Sequence, residues 1–228
     1  LNRLNELYGE VGRYDDQIFI LEKILKLDES NEIAQSELAM AFESSGRDPL
    51  EIYRKRYENN PDNLSYGLDY SDRLNQVERF EDAIPILKNV IRKDPSSKLA
   101  YRKLAEASKA IDDLDGAAVA YEELFKIDPR DSRIAIYISD VQLENNDYRQ
   151  ALRWADKAAS LDNSSGDGFG QKGKVYYYGW DAFRENPFTT DDRIVAKLAF
   201  DYFIKAEKKG FRGFSKSTWM EENSKDLL

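Results

Sequence analysis

The sequence predicts an all-α protein built as an array of helix–turn–helix repeats, and three observations indicate this fold. Three stretches align at a spacing of 34 residues: RFEDAIPILKNVIRKDP (79–95), LDGAAVAYEELFKIDP (114–129) and DYRQALRWADKAASLDN (147–163). Ala83, Ala117 and Ala151 stand in one column of this alignment. Apolar residues recur at helical spacings, which gives each helix one buried stripe. A fixed period of this length is typical of arrays whose neighbouring repeats stack to share a core.

These repeats resemble the tetratricopeptide repeat. The copy at 98–131 has the bulky and small residues of that family's helices A and B in phase, with Ser108 departing where an aromatic residue is usual. The copy at 64–97 matches apart from Gly67, which replaces a bulky residue. The resemblance implies a superhelical array with a concave groove, lined by helices A, in which partner segments bind. In the 98–131 copy the matching residues are Tyr101, Leu104, Ala105, Leu114, Ala117, Tyr121, Leu124 and Pro129.

Extending the register predicts about six repeats over residues 1–213: 1–31, 32–63, 64–97, 98–131, 132–165 and 166–213. The second repeat is two residues short between Gly46 and Pro61, so we expect its helix B to start late, with Pro49 in the first turn. The sixth carries an insertion at 184–193. Residues 214–228 predict a C-terminal helix that caps the array.

The amino-acid composition argues against several classes of function. The net charge of −9 and the pI of about 4.8 argue against a nucleic-acid partner. The absence of cysteine and histidine removes the thiolate nucleophile and the commonest general base and metal ligand. We therefore expect no enzyme activity, no cofactor and no metal. Apolar runs are far shorter than the roughly 20 residues of a spanning helix, so no membrane insertion is expected.

The sequence does not determine the cellular compartment of the protein. Leu1 lies inside a predicted helix, which indicates a trimmed N-terminus that an export signal could have preceded. We expect a soluble protein, in the cytoplasm or the periplasm.

The expected function is a non-catalytic interaction or scaffolding module that holds a protein or peptide in its groove. Acidic residues at one recurring groove position tilt the surface negative and favour a basic or extended partner segment. The alternative is a self-assembling scaffold, a homo-oligomer in which the ends of the array stack on other copies. The predicted groove residues are Asp72, Arg102, Glu106, Arg133, Ile136, Asp140, Leu143, Lys174, Tyr177 and Tyr178.

The stretch GKVYYYGWDAF (173–183) concentrates aromatic residues. In register, Tyr176 takes a core position, whereas Tyr177 and Tyr178 face the groove and are the best candidates for partner contact. We expect Trp180 and Phe183 to pack under NPFTT (186–190) or the C-terminal helix.

Two further motifs invite functional interpretations that the sequence does not favour. The run Arg54–Lys55–Arg56 is interpreted as a solvated helix face. The glycines of GDGFGQKG (166–173) lack the preceding strand of a nucleotide loop, so apart from Gly173, at a small-residue position, they are interpreted as a loose junction.

Overall fold

The computed structural model of the protein describes residues 1–213, and in this range it contains twelve α-helices and no strand. The all-α repeat array is therefore confirmed, whereas the predicted capping helix at 214–228 lies outside the described residues. The helices alternate as A and B: α1 (Asn2–Glu10), α2 (Tyr14–Leu27), α3 (Glu32–Ser44), α4 (Leu50–Asn59), α5 (Leu64–Gln76), α6 (Phe80–Lys93), α7 (Lys98–Ala110), α8 (Leu114–Ile127), α9 (Ser132–Glu144), α10 (Tyr148–Leu161), α11 (Asp167–Phe183) and α12 (Thr190–Glu207).

Packing divides the chain into two compact units, residues 1–100 and the residues from 101 onward. The boundary falls within α7, the first helix of the fourth repeat. The grouping of all six repeats into one domain stays a prediction.

In each of the first five repeats, helix A ends in the same turn. One residue there adopts positive φ, between 59° and 77°, and the next amide N–H donates to the carbonyl five residues back. This bond satisfies a carbonyl that the end of the helix would otherwise leave unpaired. The turn residues are Gly12, Gly46, Glu78, Asp112 and Asn146.

The alanine column is buried as predicted. Ala83, Ala117 and Ala151 each have 0% of their surface exposed, which confirms the register. The carbonyl oxygen of Ala151 also accepts a hydrogen bond of 2.7 Å from the hydroxyl of Ser139 on α9. Small residues in this column let helices A and B of one repeat approach closely.

Helix B of the second repeat is short, as predicted. It has 10 residues, whereas α2, α6, α8 and α10 have 14 each. Pro49 is the N-cap residue of α4 and not part of its first turn, so this detail of the prediction is wrong. Pro49 is fully buried and stands 34 residues before Ala83, which places it in the alanine column.

The sixth repeat lengthens its helix A to 17 residues. The turn column here holds Trp180, 34 residues after Asn146, and a bulky residue disfavours positive φ. The helix therefore continues to Phe183. Helix α12 begins at Thr190 behind a capping box formed by Thr189 and Asp192, so the last four residues of the predicted insertion belong to helix B.

The glycine-rich start of α11 is closely packed, and its interpretation as a loose junction is wrong. A methyl group added to Gly168 would lie 2.5 Å from the backbone nitrogen of Ala159. Gly166, Gly170 and Gly173 would meet atoms at 2.3–2.7 Å in the same way. These positions are glycine because α10, α12 and Phe211 leave no room for a side chain.

Lys172 on α11 is a half-buried cation that the sequence analysis missed. It stands where the third, fourth and fifth repeats have Tyr70, Leu104 and Ile138. Its side chain is 13% exposed and reaches Asp156 Oδ1 at 2.5 Å and the Tyr202 hydroxyl at 2.9 Å. Burial alone would lower the pKa of Lys172, but the hydrogen bonds to Asp156 and Tyr202 outweigh it and raise the pKa above its usual 10.5.

We expect the replacement Ala117→Leu to lower the free energy of unfolding by about 1–3 kcal/mol, because extra methylene groups overpack a site with no exposed surface. Val119→Leu is the matched control on the same helix, since Val119 is 59% exposed and should tolerate the larger side chain. Urea denaturation of the two variants measures the difference. An unchanged midpoint for Ala117→Leu would contradict the burial of this column.

We expect Asp156→Ala to lower the free energy of unfolding by roughly 1–2 kcal/mol, because it leaves the half-buried Lys172 ammonium without its anionic partner. Asp201→Ala, which breaks the exposed pair with Lys197, should cost less than about 0.5 kcal/mol. The double replacement Lys172→Leu, Asp156→Ala should recover most of the loss. Because the pKa of Lys172 is raised in the folded state, its contribution is present at neutral pH and falls as the pH rises above 10.5.

Candidate protein-interaction surface

The second compact unit contains nine of the ten predicted groove residues, on α7, α9 and α11. We call these nine the helix-A surface. The tenth, Asp72, lies on α5 in the first compact unit, where it accepts a 3.4 Å hydrogen bond from Gln76. Within the helix-A surface, four side chains are exposed and five are half-buried. The exposed ones are Arg102, Glu106, Arg133 and Tyr178; the half-buried ones are Ile136, Asp140, Leu143, Lys174 and Tyr177.

An ion pair joins two helices of this surface. Lys174 Nζ on α11 lies 3.0 Å from Asp140 Oδ1 on α9, and the two residues occupy the same position of consecutive repeats. Gln171, which is 2% exposed, donates to the same carboxylate oxygen at 2.8 Å and to the Ser139 hydroxyl at 3.1 Å. Asp140 is therefore engaged within the chain, and Gln171 is a structural contributor that the sequence analysis did not identify.

Two more charged candidates differ in their surroundings. Arg133 forms an ion pair of 2.7 Å with Asp131, the N-cap residue of its own helix α9. Glu106 is exposed, and its negative charge acts on the pKa of the Tyr121 hydroxyl. Burial raises the pKa of Tyr121 to about 12, and Glu106 adds to the increase while Arg102 opposes it.

Leu143 belongs more to the core than to the predicted groove. Its half-buried side chain packs against a cluster of Ala151, Ala155 and Val175. The predicted position was on the groove side, but the neighbouring helices α10 and α11 draw this side chain inward. Ile136 and Tyr137 lie nearby on α9; Tyr137 is 39% exposed, and its ring centroid is 5.5 Å from that of Tyr121.

The aromatic stretch on α11 separates into buried and displayed rings. Tyr176 stacks on Tyr202 with centroids 5.5 Å apart and planes 4° apart, which agrees with its predicted packing role. Tyr178 is 50% exposed, and Tyr177 contacts it edge to face at 5.6 Å. The two tyrosines therefore form a partly exposed aromatic patch.

Trp180 and Phe183 differ in how far they are buried. Trp180 is 3% exposed, with Phe188 of the insertion at 5.9 Å, so it packs under NPFTT as expected. Phe183 is 71% exposed, with the ring centroid of Tyr148 at 5.4 Å, so the insertion does not bury it. Its other predicted cover, the C-terminal helix, lies outside the described residues.

The basic run on α4 is not a uniformly solvated face. Arg56 is 8% exposed, and its guanidinium lies 4.3 Å from the ring centroid of Tyr66. Asp69 is 3.9 Å away. The solvated interpretation fits Lys55, which is exposed, and fails for Arg56 because the short helix α4 turns this residue toward α5.

In residues 1–213 no cluster of three or more acidic, His or Cys side chains could hold a metal ion. No helix in the same part of the chain is both long and apolar enough to cross a membrane.

Comparison with known proteins identifies the repeat. The tetratricopeptide repeat family matches residues 72–129. Among solved structures, MamA superposes with a TM-score of 0.57 at 20% identity, covering 70% of this chain and 85% of MamA. MamA from Desulfovibrio magneticus RS-1 gives 0.56 at 15% identity, covering 72% and 93% of the two chains.

A third structure is YrrB, described as a TPR protein with an unusual peptide-binding site. It has a TM-score of 0.58 at 16% identity and covers 74% of this chain and 88% of YrrB. At these identities the structural matches establish the fold alone. The chain therefore matches the tetratricopeptide repeat family over residues 72–129, and the helix pairs of its described residues share the fold of these structures.

Proposed function

We propose that the chain is a non-catalytic module that binds a segment of another protein on its helix-A surface. The observation that carries the proposal is the aromatic patch of Tyr177 and Tyr178 beside exposed charged residues. Tyrosine offers rigid contact area and a polar hydroxyl, and it is enriched among residues that dominate binding energy. The similar fold of YrrB, a TPR protein with an unusual peptide-binding site, supports this proposal.

The charges of this surface favour selectivity more than affinity. Lys174 and Gln171 already engage Asp140, so in the second compact unit Glu106 is the acidic groove residue left to meet a partner. Arg102 lies one helical turn from Glu106 and limits the negative bias. A partner segment with a basic residue opposite Glu106 and an apolar or aromatic residue against Tyr178 would satisfy both features.

A second candidate function is self-assembly through the first helix. Leu4 and Leu7 on α1 and Val11 just beyond it are exposed by 45%, 38% and 65%, and their spacing of three and four residues places them on one helical face. Exposed apolar patches of this kind mark interaction sites. Another copy of the chain could cover this face in the way that neighbouring repeats cover one another.

We expect Tyr178→Ala to weaken binding of a partner captured by cross-linking at least tenfold, because the variant removes the most exposed ring of the patch. Glu106→Lys should slow association and reduce its salt dependence for a basic segment. Val119→Ala, an exposed apolar truncation on α8, is the matched control and should bind like the parent chain. Unchanged dissociation constants in both test variants, with folding preserved, would place the partner elsewhere.

Self-assembly is tested separately by the oligomeric state. If copies associate through α1, the double variant Leu4→Glu, Val11→Glu should shift sedimentation from an oligomer to a monomer, because charged side chains oppose burial of this face. Phe19→Glu on α2, whose ring is 55% exposed, is the control. A parent chain that sediments as a monomer at all concentrations would exclude the second candidate.

A further inference from the structure

Three cations on α10 form a stripe that has no anionic partner within residues 1–213. Arg149, Arg153 and Lys157 are spaced four residues apart, which places them on one face of the helix, and all three are exposed. Asp156, the one acidic residue of α10, pairs instead with Lys172 at 2.5 Å. Like charges four residues apart destabilise a helix, so the stability of the chain does not explain this stripe.

The first turn of α10 also differs from that of the other helices B. Each of the others in the described residues has an acidic residue in this turn, where a carboxylate favours the positive end of the helix dipole. Arg149 occupies the register position of Asp15, Glu81 and Asp115, and the first turn of α10 has no acidic residue. A cation at this end of a helix is unfavourable, so the exchange adds positive charge to α10 at a cost to the helix.

Two cations of the stripe line a cleft between α8 and α10. Arg153 and Lys157 border this cleft, which has a volume of about 370 Å³. Phe125 and Trp154 also line it, and the two rings pack edge to face with centroids 5.1 Å apart. Both rings are half-buried, so part of their apolar surface is accessible to a ligand in the cleft.

The other charged residues of the cleft leave it positive. Lys126 on α8 is paired with Glu123, at 2.5 Å, which does not line the cleft. Glu122 is the one carboxylate that lines it, against the unpaired cations Arg153 and Lys157. The cleft therefore has an excess of positive charge in a chain whose net charge is −9. This excess favours an acidic occupant.

The first compact unit has an equivalent cleft of a different character. It lies between α2 and α4, where Leu25 and Ile52 occupy the register positions of the two aromatic rings. Glu51 occupies the register position of Arg153. Of the two clefts, the one between α8 and α10 thus has both the rings and the excess of positive charge.

We propose that the cleft between α8 and α10 binds an acidic segment of a partner protein, with an apolar side chain against Phe125 and Trp154 and carboxylates beside Arg153 and Lys157. The carboxylates supply the anionic partners that the stripe lacks, and a guanidinium group binds a carboxylate through two parallel hydrogen bonds. Nucleic acid is disfavoured because three cations on a chain of net charge −9 are a small basis for phosphate binding. The site goes beyond the helix-A surface, since helices B form it.

The test titrates short peptides into the isotope-labelled full chain and follows its backbone amide signals in NMR spectra. We expect Ac-Glu-Glu-Phe-Glu-Glu-NH2 to bind with a dissociation constant on the order of 1 mM and to shift the signals of α8 and α10. The glycine peptide Ac-Glu-Glu-Gly-Glu-Glu-NH2 and the charge-reversed Ac-Lys-Lys-Phe-Lys-Lys-NH2 should each bind several-fold more weakly. Equal binding of either control peptide, or shifts that lie outside α8 and α10, would overturn the proposal.

Charge reversal tests the stripe. Arg153→Glu with Lys157→Glu should weaken the phenylalanine peptide at least tenfold, because its carboxylates then meet like charges. Lys26→Glu with Lys55→Glu is the matched control, since it makes the same change in net charge at exposed positions of α2 and α4 and should leave the binding intact. An equal loss in the two variants would show that the peptide responds to net charge alone, which would also overturn the proposal.

The aromatic pair is tested by Trp154→Ile, which should weaken the phenylalanine peptide several-fold. Ile52 and Ile86 occupy the same register position, so isoleucine fits the repeat. If this variant does not fold, the charge reversal and its control still decide the question. Tyr178→Ala should leave the binding unchanged, so failure of this site and failure of the helix-A surface are distinguishable.

Other occupants of the cleft would give different results, and each of these results would overturn the proposal. An oligothymidylate that shifts the signals of α8 and α10 more strongly than the phenylalanine peptide would assign the cleft to nucleic acid. Peptide-dependent shifts of residues 214–228 would assign it to the chain's own C-terminal segment. Shifts of α8 and α10 on dilution of the parent chain alone would assign it to a second copy of the chain.

Discussion

The repeat depends on the reversal of the chain at the end of helix A. A residue in the left-handed region turns the backbone so that the following N–H reaches the carbonyl five residues back, and helix B then returns along helix A. Glu78, Asp112 and Asn146 adopt this conformation although it disfavours a side chain, so the reversal itself is what the fold retains. The buried contact at Ala117 requires this return. Where Trp180 occupies the same column, the reversal is delayed and the sixth repeat takes a different form.

Features that recur with the period could be predicted from the sequence. The helix bounds, the buried alanine column and the short α4 all follow from aligning the copies of the repeat with one another. What escaped prediction depends on contacts between side chains of different helices. Arg56 is buried beside the ring of Tyr66, and Lys172 is half-buried where Asp156 and Tyr202 accept hydrogen bonds from its ammonium. The spacing of residues within the repeat does not predict these side-chain contacts.

The charge of the candidate surface could also be predicted only in part from the sequence. Counting acidic residues at one repeat position predicts a negative groove, but the position also brings Asp140 and Lys174 together, 34 residues apart, and they neutralise each other. Aligning the repeats gives the sign of the charge at each position but does not identify the residue with which it pairs. Exposure is also decided by neighbours: Tyr178 stays half exposed at the predicted place, whereas Leu143 turns toward Ala151 and Val175. At the predicted surface the aromatic pair is partly exposed, whereas part of the charge is paired within the chain.

A repeat protein contains its own comparisons, because each environment occurs several times with different side chains. Phe125 and Trp154 show how large rings fill the space between two helices B, and Leu25 and Ile52 show the same space with smaller side chains. The helices that border each space also contribute buried residues to the core of their own unit. Variation of side-chain size on a repeated backbone thus changes the size of the space between two helices B.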